Sequence, residues 1–213
     1  AGRQLLADRG FVLAAVQHNG YALACAPQRF RADRQVVLTA VREEGSSLEY
    51  ASDALRADRE IALAAACWSE SALEHVAEPL WDDRAFVFAA ASQNAAALEY
   101  AAPSLRLDEP FVLSVVERNS DVLKFAPAKL LADREFALAA AQRSAAALEH
   151  VPQGFLADHG FLLAAAARNP GVLDRLPKDL WEDCAFVLAA VEQDGSSFAR
   201  AAPELRASRD FAL

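Results

Sequence analysis

The chain has 213 residues, a formal net charge of −9 and 54% hydrophobic residues. That hydrophobic fraction excludes a disordered polypeptide, and the acidic surface disfavours general binding to the phosphate backbone of nucleic acids. The longest apolar runs are well short of the roughly 20 residues that a membrane-spanning helix needs, so we expect no membrane span.

An aspartate recurs every 25 residues, without insertion or deletion. A register this strict predicts a stacked array, because a slip would break the contact of each repeat with its neighbours. We therefore predict one helical-repeat array over residues 1–213, with partial repeats at both ends, and we expect a segment of a longer protein. The repeats begin at Asp8, Asp33, Asp58, Asp83, Asp108, Asp133, Asp158 and Asp183, and Ser208 stands where a ninth aspartate would be.

The first part of each repeat, numbered from position 1 at its aspartate, is predicted to form an inner helix. Aspartate is a typical N-cap, because its carboxylate accepts from the free N–H groups of the first turn. Position 4 is Phe in most copies, Phe211 included, and positions 7 to 9 are small, as in Ala139, Ala140 and Ala141. A helix that is apolar nearly all round is buried on several sides, and its alanine face lets neighbouring helices approach closely.

A second, shorter helix is predicted from position 12, which is Asn, Ser or Asp in seven of the eight complete repeats. These residues are N-caps again, and Pro170 follows Asn169 where a missing N–H is not needed. Prolines at positions 20 to 22 are predicted to end this segment. Position 23, which is Leu or Phe throughout, is expected to fill the core beneath a proline-containing return.

The predicted fold class is all-α: a solenoid of about eight 25-residue repeats, each a ten-residue helix plus a short second helix or 3₁₀ turn. A leucine-rich-repeat horseshoe is the main alternative, since its period falls in the same range. That fold needs a strand where this chain has FVLAA or FALAA, and paired alanines form strands poorly.

The stretches DREFALAAAQRSAAALEH, DRAFVFAAASQNAAALEYA and DRGFVLAAVQHNGYALACA resemble a family of tandem domains of unknown function. Its members carry the pattern D-x-x-F-V-L-x-A-V-x-x-N-x-x-A-L-x-x-A and are common in protist and algal proteins. The resemblance covers the whole chain, and one family domain corresponds to about two repeats. It implies an α-helical repeat module and no activity, and it suggests an organelle-associated complex, for example in a plastid. A looser similarity is to leucine-rich-variant repeats, which alternate an α-helix with a 3₁₀ helix.

The sequence contains no GxGxxG, Walker-type, GxSxG or HExxH motif. His75 and His150 share position 18 but lie three repeats apart, about 30 Å at the usual helix spacing, which is too far for one metal ion. We therefore predict no enzyme activity, no metal and no cofactor. The cysteines Cys25, Cys67 and Cys184 occupy different repeat positions, which favours reduced thiols in an intracellular compartment, cytoplasmic or organellar.

Arginines recur at position 2 and glutamates at position 17. We interpret them as inter-repeat ion pairs on a solvated flank, each contributing little to stability. A calcium-binding or acid–base carboxylate cluster would need more closely spaced carboxylates. The residues are Arg9, Arg34, Arg59, Arg84 and Arg134 at position 2, and Glu49, Glu74, Glu99 and Glu149 at position 17.

Position 11 is arginine in three consecutive repeats, at Arg118, Arg143 and Arg168. Stacking would place these guanidinium groups in a row that grips a carboxylate-rich or phosphorylated protein. The alternative is a solvated helix end, where cations suit the negative helix terminus.

Three tryptophans are further candidates for a partner contact. Trp81 and Trp181 share position 24 and either pack on the next repeat, which we favour, or anchor a partner. Trp68 is the best single candidate for an exposed anchor, because its counterparts at position 11 are polar or charged.

We therefore predict a non-catalytic protein-binding scaffold whose variable positions 10, 11, 18 and 24 contact an unidentified protein. The alternative is a structural or peripheral subunit of a larger assembly, such as an organellar or photosynthetic membrane complex. A third hypothesis is a regulatory or targeting array attached to an enzyme domain outside this segment.

Overall fold

The structure, a computed structural model, describes residues 5–207. Ser208 and Phe211, which the repeat assigns to positions 1 and 4, lie outside this range. The described residues form α-helices and 3₁₀ helices and contain no strand. The predicted all-α solenoid class is confirmed, and the horseshoe alternative is wrong.

A long α-helix opens every repeat, and the aspartate before it caps it. The Asp8 carboxylate accepts a hydrogen bond from the N–H of Phe11 at 3.0 Å, and the same contact recurs at the later repeats, for example from Phe136 to Asp133. The N-cap prediction is confirmed. The helices are α1 (Arg9–His18), α2 (Arg34–Glu43), α3 (Arg59–Trp68), α4 (Arg84–Gln93), α5 (Glu109–Val116), α6 (Arg134–Arg143), α7 (His159–Ala166) and α8 (Cys184–Gln193).

A second segment follows position 12, as predicted. It starts directly after position 12 in seven repeats and at Ala97, position 15, in the fourth. It is a 3₁₀ helix in six repeats and a four-residue α-helix in two. The 3₁₀ helices are Gly20–Cys25, Gly45–Tyr50, Ser120–Phe125, Ala145–Glu149, Pro170–Arg175 and Gly195–Arg200, and the α-helices are Glu70–Leu73 and Ala97–Tyr100.

The return after the prolines is itself helical, which the sequence interpretation missed. Proline ends one helix because it lacks an N–H, but its fixed φ suits the first turn of the next. Pro27 accordingly occupies the N-cap of one short helix and Pro103 the first turn of another. These third segments are α-helices at Gln28–Arg31, Asp53–Arg56, Pro103–Arg106, Ala128–Leu131, Gln153–Leu156 and Pro203–Ala207, and 3₁₀ helices at Glu78–Asp82 and Lys178–Trp181.

The chain divides into two compact units, Ala1–Ala126 and Pro127–Leu213, which we call unit 1 and unit 2. Unit 1 contains α1 to α5, and unit 2 contains α6 to α8. The boundary lies between the second and third segments of the fifth repeat. A single array over residues 1–213 stays a prediction.

The long helices form the core of each unit. The position-4 side chains Phe86 and Phe111 of unit 1, and Phe136, Phe161 and Phe186 of unit 2, are at most 2% exposed. Alanines at position 8, such as Ala65, Ala90 and Ala140, are fully buried, which confirms the closely packed alanine face. Position 23 is buried or half-buried in every repeat, so it fills the core as predicted.

An ion pair joins neighbouring repeats, and we call the set the Arg–Asp ladder. Each position-2 arginine binds the capping aspartate of the next repeat, so the predicted inter-repeat ion pairs are confirmed. The partner of each position-2 arginine is this capping aspartate. Among the position-17 glutamates, Glu149 forms an ion pair with Arg175, at position 18 of the following repeat. The ladder consists of Arg9–Asp33, Arg34–Asp58, Arg59–Asp83 and Arg84–Asp108 in unit 1, and Arg134–Asp158 in unit 2.

Each ladder aspartate both caps its own helix and binds the arginine of the preceding repeat. In Asp33 and Asp58, Oδ1 also accepts from Nη2 of that arginine. Oδ1 of Asp58 accepts the N–H groups of Glu60 and Ile61 at 3.0 and 3.1 Å, while Oδ2 lies 3.0 Å from Nε of Arg34. Hydrogen bonds to a carboxylate favour its charged form. The hydrogen bond from Arg9 accordingly lowers the pKa of Asp33, and the hydrogen bond from Arg84 lowers the pKa of Asp108.

Replacing Phe136 by alanine should lower the free energy of unfolding by about 3–5 kcal/mol, because the change leaves a cavity among buried side chains. The matched control is Phe11→Ala, since Phe11 occupies the same position but is 42% exposed. Urea denaturation followed by circular dichroism would measure both. Equal losses for the two variants would contradict the assigned register.

Replacing Arg84 by alanine should raise the pKa of Asp108 towards its ordinary value. A carboxyl group with a lowered pKa in the folded state stabilises the fold above its unfolded pKa of about 3.9, and this contribution is lost as the pH falls through the folded value. The variant should therefore show less loss of stability between neutral and acid pH than the parent. Carboxyl ¹³C titration of Asp108 would test this, with Arg118→Ala as a control for the removed charge. An unchanged Asp108 titration in Arg84→Ala would contradict the role of the ladder.

Candidate functional site

Trp68 is the last residue of α3 and is 74% exposed. The predicted exposure of this residue is confirmed. The helix that carries it packs in the core through the fully buried Ile61, Ala62 and Ala65. Trp68 therefore lies at the exposed end of a helix whose earlier turns are buried.

Gly45 in the preceding repeat lets the backbone at this base pack closely. A Cβ atom added to Gly45 would lie 2.8 Å from the carbonyl oxygen of Ala65 and 3.4 Å from Cβ of Trp68. A backbone contact of 2.8 Å requires a shift, so only glycine fits there without displacing α3. Gly20 and Gly45 share position 13. This recurrence of glycine is the sequence signal that could have predicted the close contact, and the sequence analysis did not use it.

A groove of about 400 Å³ lies beside Trp68 and is lined by residues of the third, fourth and fifth repeats, all in unit 1. Its residues come from the ends of the long helices and the starts of the second segments. The exposed side chains in its lining are Trp68, Glu70, Gln93, Asp121 and Lys124. Trp68 and Gln93 occupy position 11, which the sequence predicted as a contact position, whereas Glu70, Asp121 and Lys124 were not candidates.

Two asparagines that line the groove fix the spacing of its repeats. Nδ2 of Asn94 donates to the carbonyl of Ala66 at 2.9 Å, and its Oδ1 accepts from the N–H of Ala96 at 3.2 Å. Asn119 forms the equivalent bridge to the carbonyl of Ala91 at 3.1 Å. Asn94 and Asn119 each accept from a backbone N–H two residues later and also link to the preceding repeat, whereas the sequence indicated only a capping role.

Charge in the groove is mixed, with an acidic excess. Glu70 and Asp121 are exposed carboxylates, and Asp121 forms a 2.8 Å ion pair with Lys124. Burial raises the pKa of the Cys67 thiol, so this cysteine is a neutral thiol at pH 7. The groove therefore offers an indole face, an acidic side and amide groups to a ligand.

Trp81 and Trp181 lie in the core and not on a binding surface. They are 6% and 7% exposed, and the ring centroid of Trp81 lies 5.3 Å from that of Phe86 and 5.4 Å from that of Tyr100. The packing interpretation is confirmed for both. The structure therefore corrects the hypothesis that Trp81 and Trp181 contact a partner, because a buried indole offers no free face.

The three position-11 arginines are all exposed. Arg118 lies in unit 1 and follows α5, whereas Arg143 and Arg168 lie in consecutive repeats of unit 2. Nη1 of Arg143 donates to the carbonyl of Ala139 at 3.0 Å, within its own helix. Their arrangement as a binding row stays a prediction.

Within residues 5–207, the structure contains no group of three or more His, Cys, Asp or Glu side chains that could hold a metal ion. Over the same residues, no helix combines the length and apolar character needed to cross a membrane.

The described part of the chain therefore consists of repeats whose strongest signature is the Asp-capped, Phe-centred helix. The family described as Domain of unknown function (DUF4116) matches residues 8–56, 58–106 and 108–156. The chain belongs to this family. Each DUF4116 match spans two of the 25-residue repeats, as the resemblance implied. Comparison with curated proteins gave no match, and comparison with solved structures gave none either.

Proposed function

We propose that this DUF4116 protein is a non-catalytic scaffold that binds a polypeptide in the groove beside Trp68. The observation that carries the proposal is the exposure of Trp68, which is 74% exposed at the end of α3. Tryptophan is enriched among the residues that dominate binding energy in protein interfaces. Other repeats carry a polar residue at position 11, such as Gln93. A polar residue would keep this surface soluble, so solubility alone does not account for a tryptophan there.

The chemistry of the groove favours a basic partner segment. A guanidinium or ammonium group stacks favourably on an indole face, and Glu70 supplies a carboxylate in the same groove. Gln93 adds an amide that both donates and accepts hydrogen bonds. The net charge of −9 would also steer a basic partner towards the protein. The proposed occupant is thus an extended segment with an arginine or lysine.

Replacing Trp68 by alanine should weaken binding of such segments by about tenfold or more, the loss typical of a hot-spot residue. Segments would be selected from a displayed random peptide library on the parent protein, and their affinities measured by biolayer interferometry. Tyr21→Ala is the matched control, because Tyr21 is another exposed aromatic residue of unit 1, 46% exposed, that does not line the groove.

Enrichment of Arg- or Lys-containing peptides that lose affinity only with Trp68→Ala would support the proposal. Peptides that bind both variants as tightly as the parent would contradict it. In material from the native source, a partner present at constant stoichiometry through purification would instead favour the alternative, a fixed subunit of a larger assembly. We also propose that the protein lies in the cytoplasm or in an organelle. Identification of the partner would show which compartment it occupies.

Replacing Arg118, Arg143 and Arg168 together by alanine should weaken capture of carboxylate-rich or phosphorylated peptides, because three exposed guanidinium groups are lost. Far-UV circular dichroism should stay unchanged. The matched control replaces three other exposed cations, Lys129, Lys178 and Arg206, and so removes the same charge. If acidic peptides bind both triple variants equally, the three arginines have no specific role.

A further inference from the structure

A cavity of about 210 Å³ lies between the seventh and eighth repeats, within unit 2. It is smaller than the roughly 300–1,000 Å³ of sites for drug-sized ligands, so it suits a single side chain. Its wall is apolar at Leu163, Pro170 and Leu173 of the seventh repeat and polar at Gln193, Asp194 and Ser197 of the eighth.

Ser197 brings an unsatisfied hydroxyl to this cavity. The residue is fully buried, and among the described residues its Oγ has no hydrogen-bond partner, which is unfavourable for a buried polar group. Ser47 shares position 15 and also lacks a partner, but backbone closes in on it, because a Cβ atom added to Gly20 would lie 2.8 Å from its Oγ. Pro170 stands at the place of Gly20 before Ser197 and lines the cavity. Ser197 therefore offers a ligand a hydroxyl, whereas Ser47 does not.

The carbonyl of Ala166, the last residue of α7, is a second acceptor in the wall. At three other junctions a position-12 asparagine donates to the position-9 carbonyl of the preceding repeat: Asn94 to Ala66, Asn119 to Ala91 and Asn169 to Ala141. Position 12 of the eighth repeat is Asp194, whose carboxylate has no N–H to donate. Pro170, four residues after Ala166, has no N–H either. The Ala166 carbonyl thus lacks both donors at the negative end of its helix.

Asp194 adds a negative charge to these acceptors. The hydroxyl and the N–H of Ser196 donate to its carboxylate at 2.7 and 2.9 Å and lower the pKa of Asp194, so it is ionised at neutral pH. Arg200, which also acts on Asp194, forms an ion pair with Asp174 and does not line the cavity. Nε2 of Gln193 donates to the carbonyl of Leu163 at 3.2 Å. The remaining polar groups are mainly acceptors, so the cavity disfavours anions and suits a cationic donor.

We propose that this cavity binds a primary alkylammonium group, the side chain of a lysine in a partner polypeptide. Its three N–H donors match the carboxylate of Asp194, the carbonyl of Ala166 and the hydroxyl of Ser197. In other repeats the position-12 side chain reaches the position-9 carbonyl directly, which places both acceptors within reach of one ammonium nitrogen. The methylene groups of the lysine pack on the apolar wall.

A compact ammonium suits separate acceptors better than a guanidinium, whose donors form a rigid planar fork. That the lysine belongs to a polypeptide rests on the proposed scaffold function. The site itself lies in a different unit from the Trp68 groove.

The experiment uses Nα-acetyl-L-lysine-N′-methylamide as the probe and the leucine methyl groups as reporters. Titration of the methyl-labelled chain should shift the resonances of Leu163 and Leu173 saturably. The norleucine analogue has the same chain without the ammonium group. It should bind about tenfold more weakly or worse, because hydrogen bonds from a charged donor are lost.

Asp194→Asn should weaken binding of the lysine probe about tenfold or more, because the charge is lost and the new amide can donate to the Ala166 carbonyl. The variant should fold, since asparagine occupies position 12 in four other repeats. Ser197→Ala should also weaken binding, and alanine occupies position 15 in four other repeats. The matched control is Asp179→Asn, which removes the same charge from an exposed residue outside the cavity and should leave binding unchanged.

Equal binding of the lysine and norleucine probes to the parent protein would overturn the proposal without any variant. Equal affinities of Asp194→Asn and Asp179→Asn for the lysine probe would overturn it too. Tighter binding of free pentane-1,5-diamine than of the lysine probe would identify a small amine as the occupant and would likewise overturn it. Trp68→Ala should bind the lysine probe as the parent does, so a failure of the groove proposal leaves this test intact.

Discussion

The structure depends on a carboxylate that serves two repeats at once. A ladder aspartate caps its own helix through Oδ1 and binds the arginine that opens the preceding helix mainly through Oδ2, as in Asp58 with Arg34. Each ion pair is exposed and contributes modestly by itself, but the geometry fixes where each long helix starts relative to its neighbour. A one-residue insertion would displace the cap or the ion pair. This constraint accounts for the 25-residue spacing at the five aspartates that receive an arginine. Before Asp133 and Asp183, position 2 is Glu109 and His159, and the spacing there follows from the packing of the helices.

The other end of each long helix is fixed differently. There the position-12 asparagines bridge to the preceding repeat, and Gly45 allows the second and third repeats to approach closely. With both ends and the alanine face committed to packing, few positions remain free to vary. Positions 11 and 24 are among them, and both carry tryptophan in some repeats and charged residues in others. In the proposed function, position 11 carries recognition through Trp68.

Much of the fold follows from single-repeat patterns. The N-cap, the buried Phe of position 4 and the exposure of Trp68 were all predictable, because each depends on one residue type at one recurring position. The third helical segment was missed because proline both ends and starts helices. The Asn94 bridge, the Gly45 contact and the cavity beside Ser197 depend on pairs of residues about one repeat apart in sequence. Periodicity shows that such residues recur, but their contacts become visible only when the repeats are stacked.

The Arg–Asp ladder also bears on how such a chain can evolve. Each rung needs only an arginine in one repeat and an aspartate in the next, so a tandem duplication of 25 residues brings both halves of a new rung with it. Gene duplication can then lengthen or shorten a unit without a new packing solution. Later substitutions at a single copy, such as Trp68 or Asp194, change one local surface and leave the shared rungs intact. A lineage could diversify its binding surfaces copy by copy while the common frame persists.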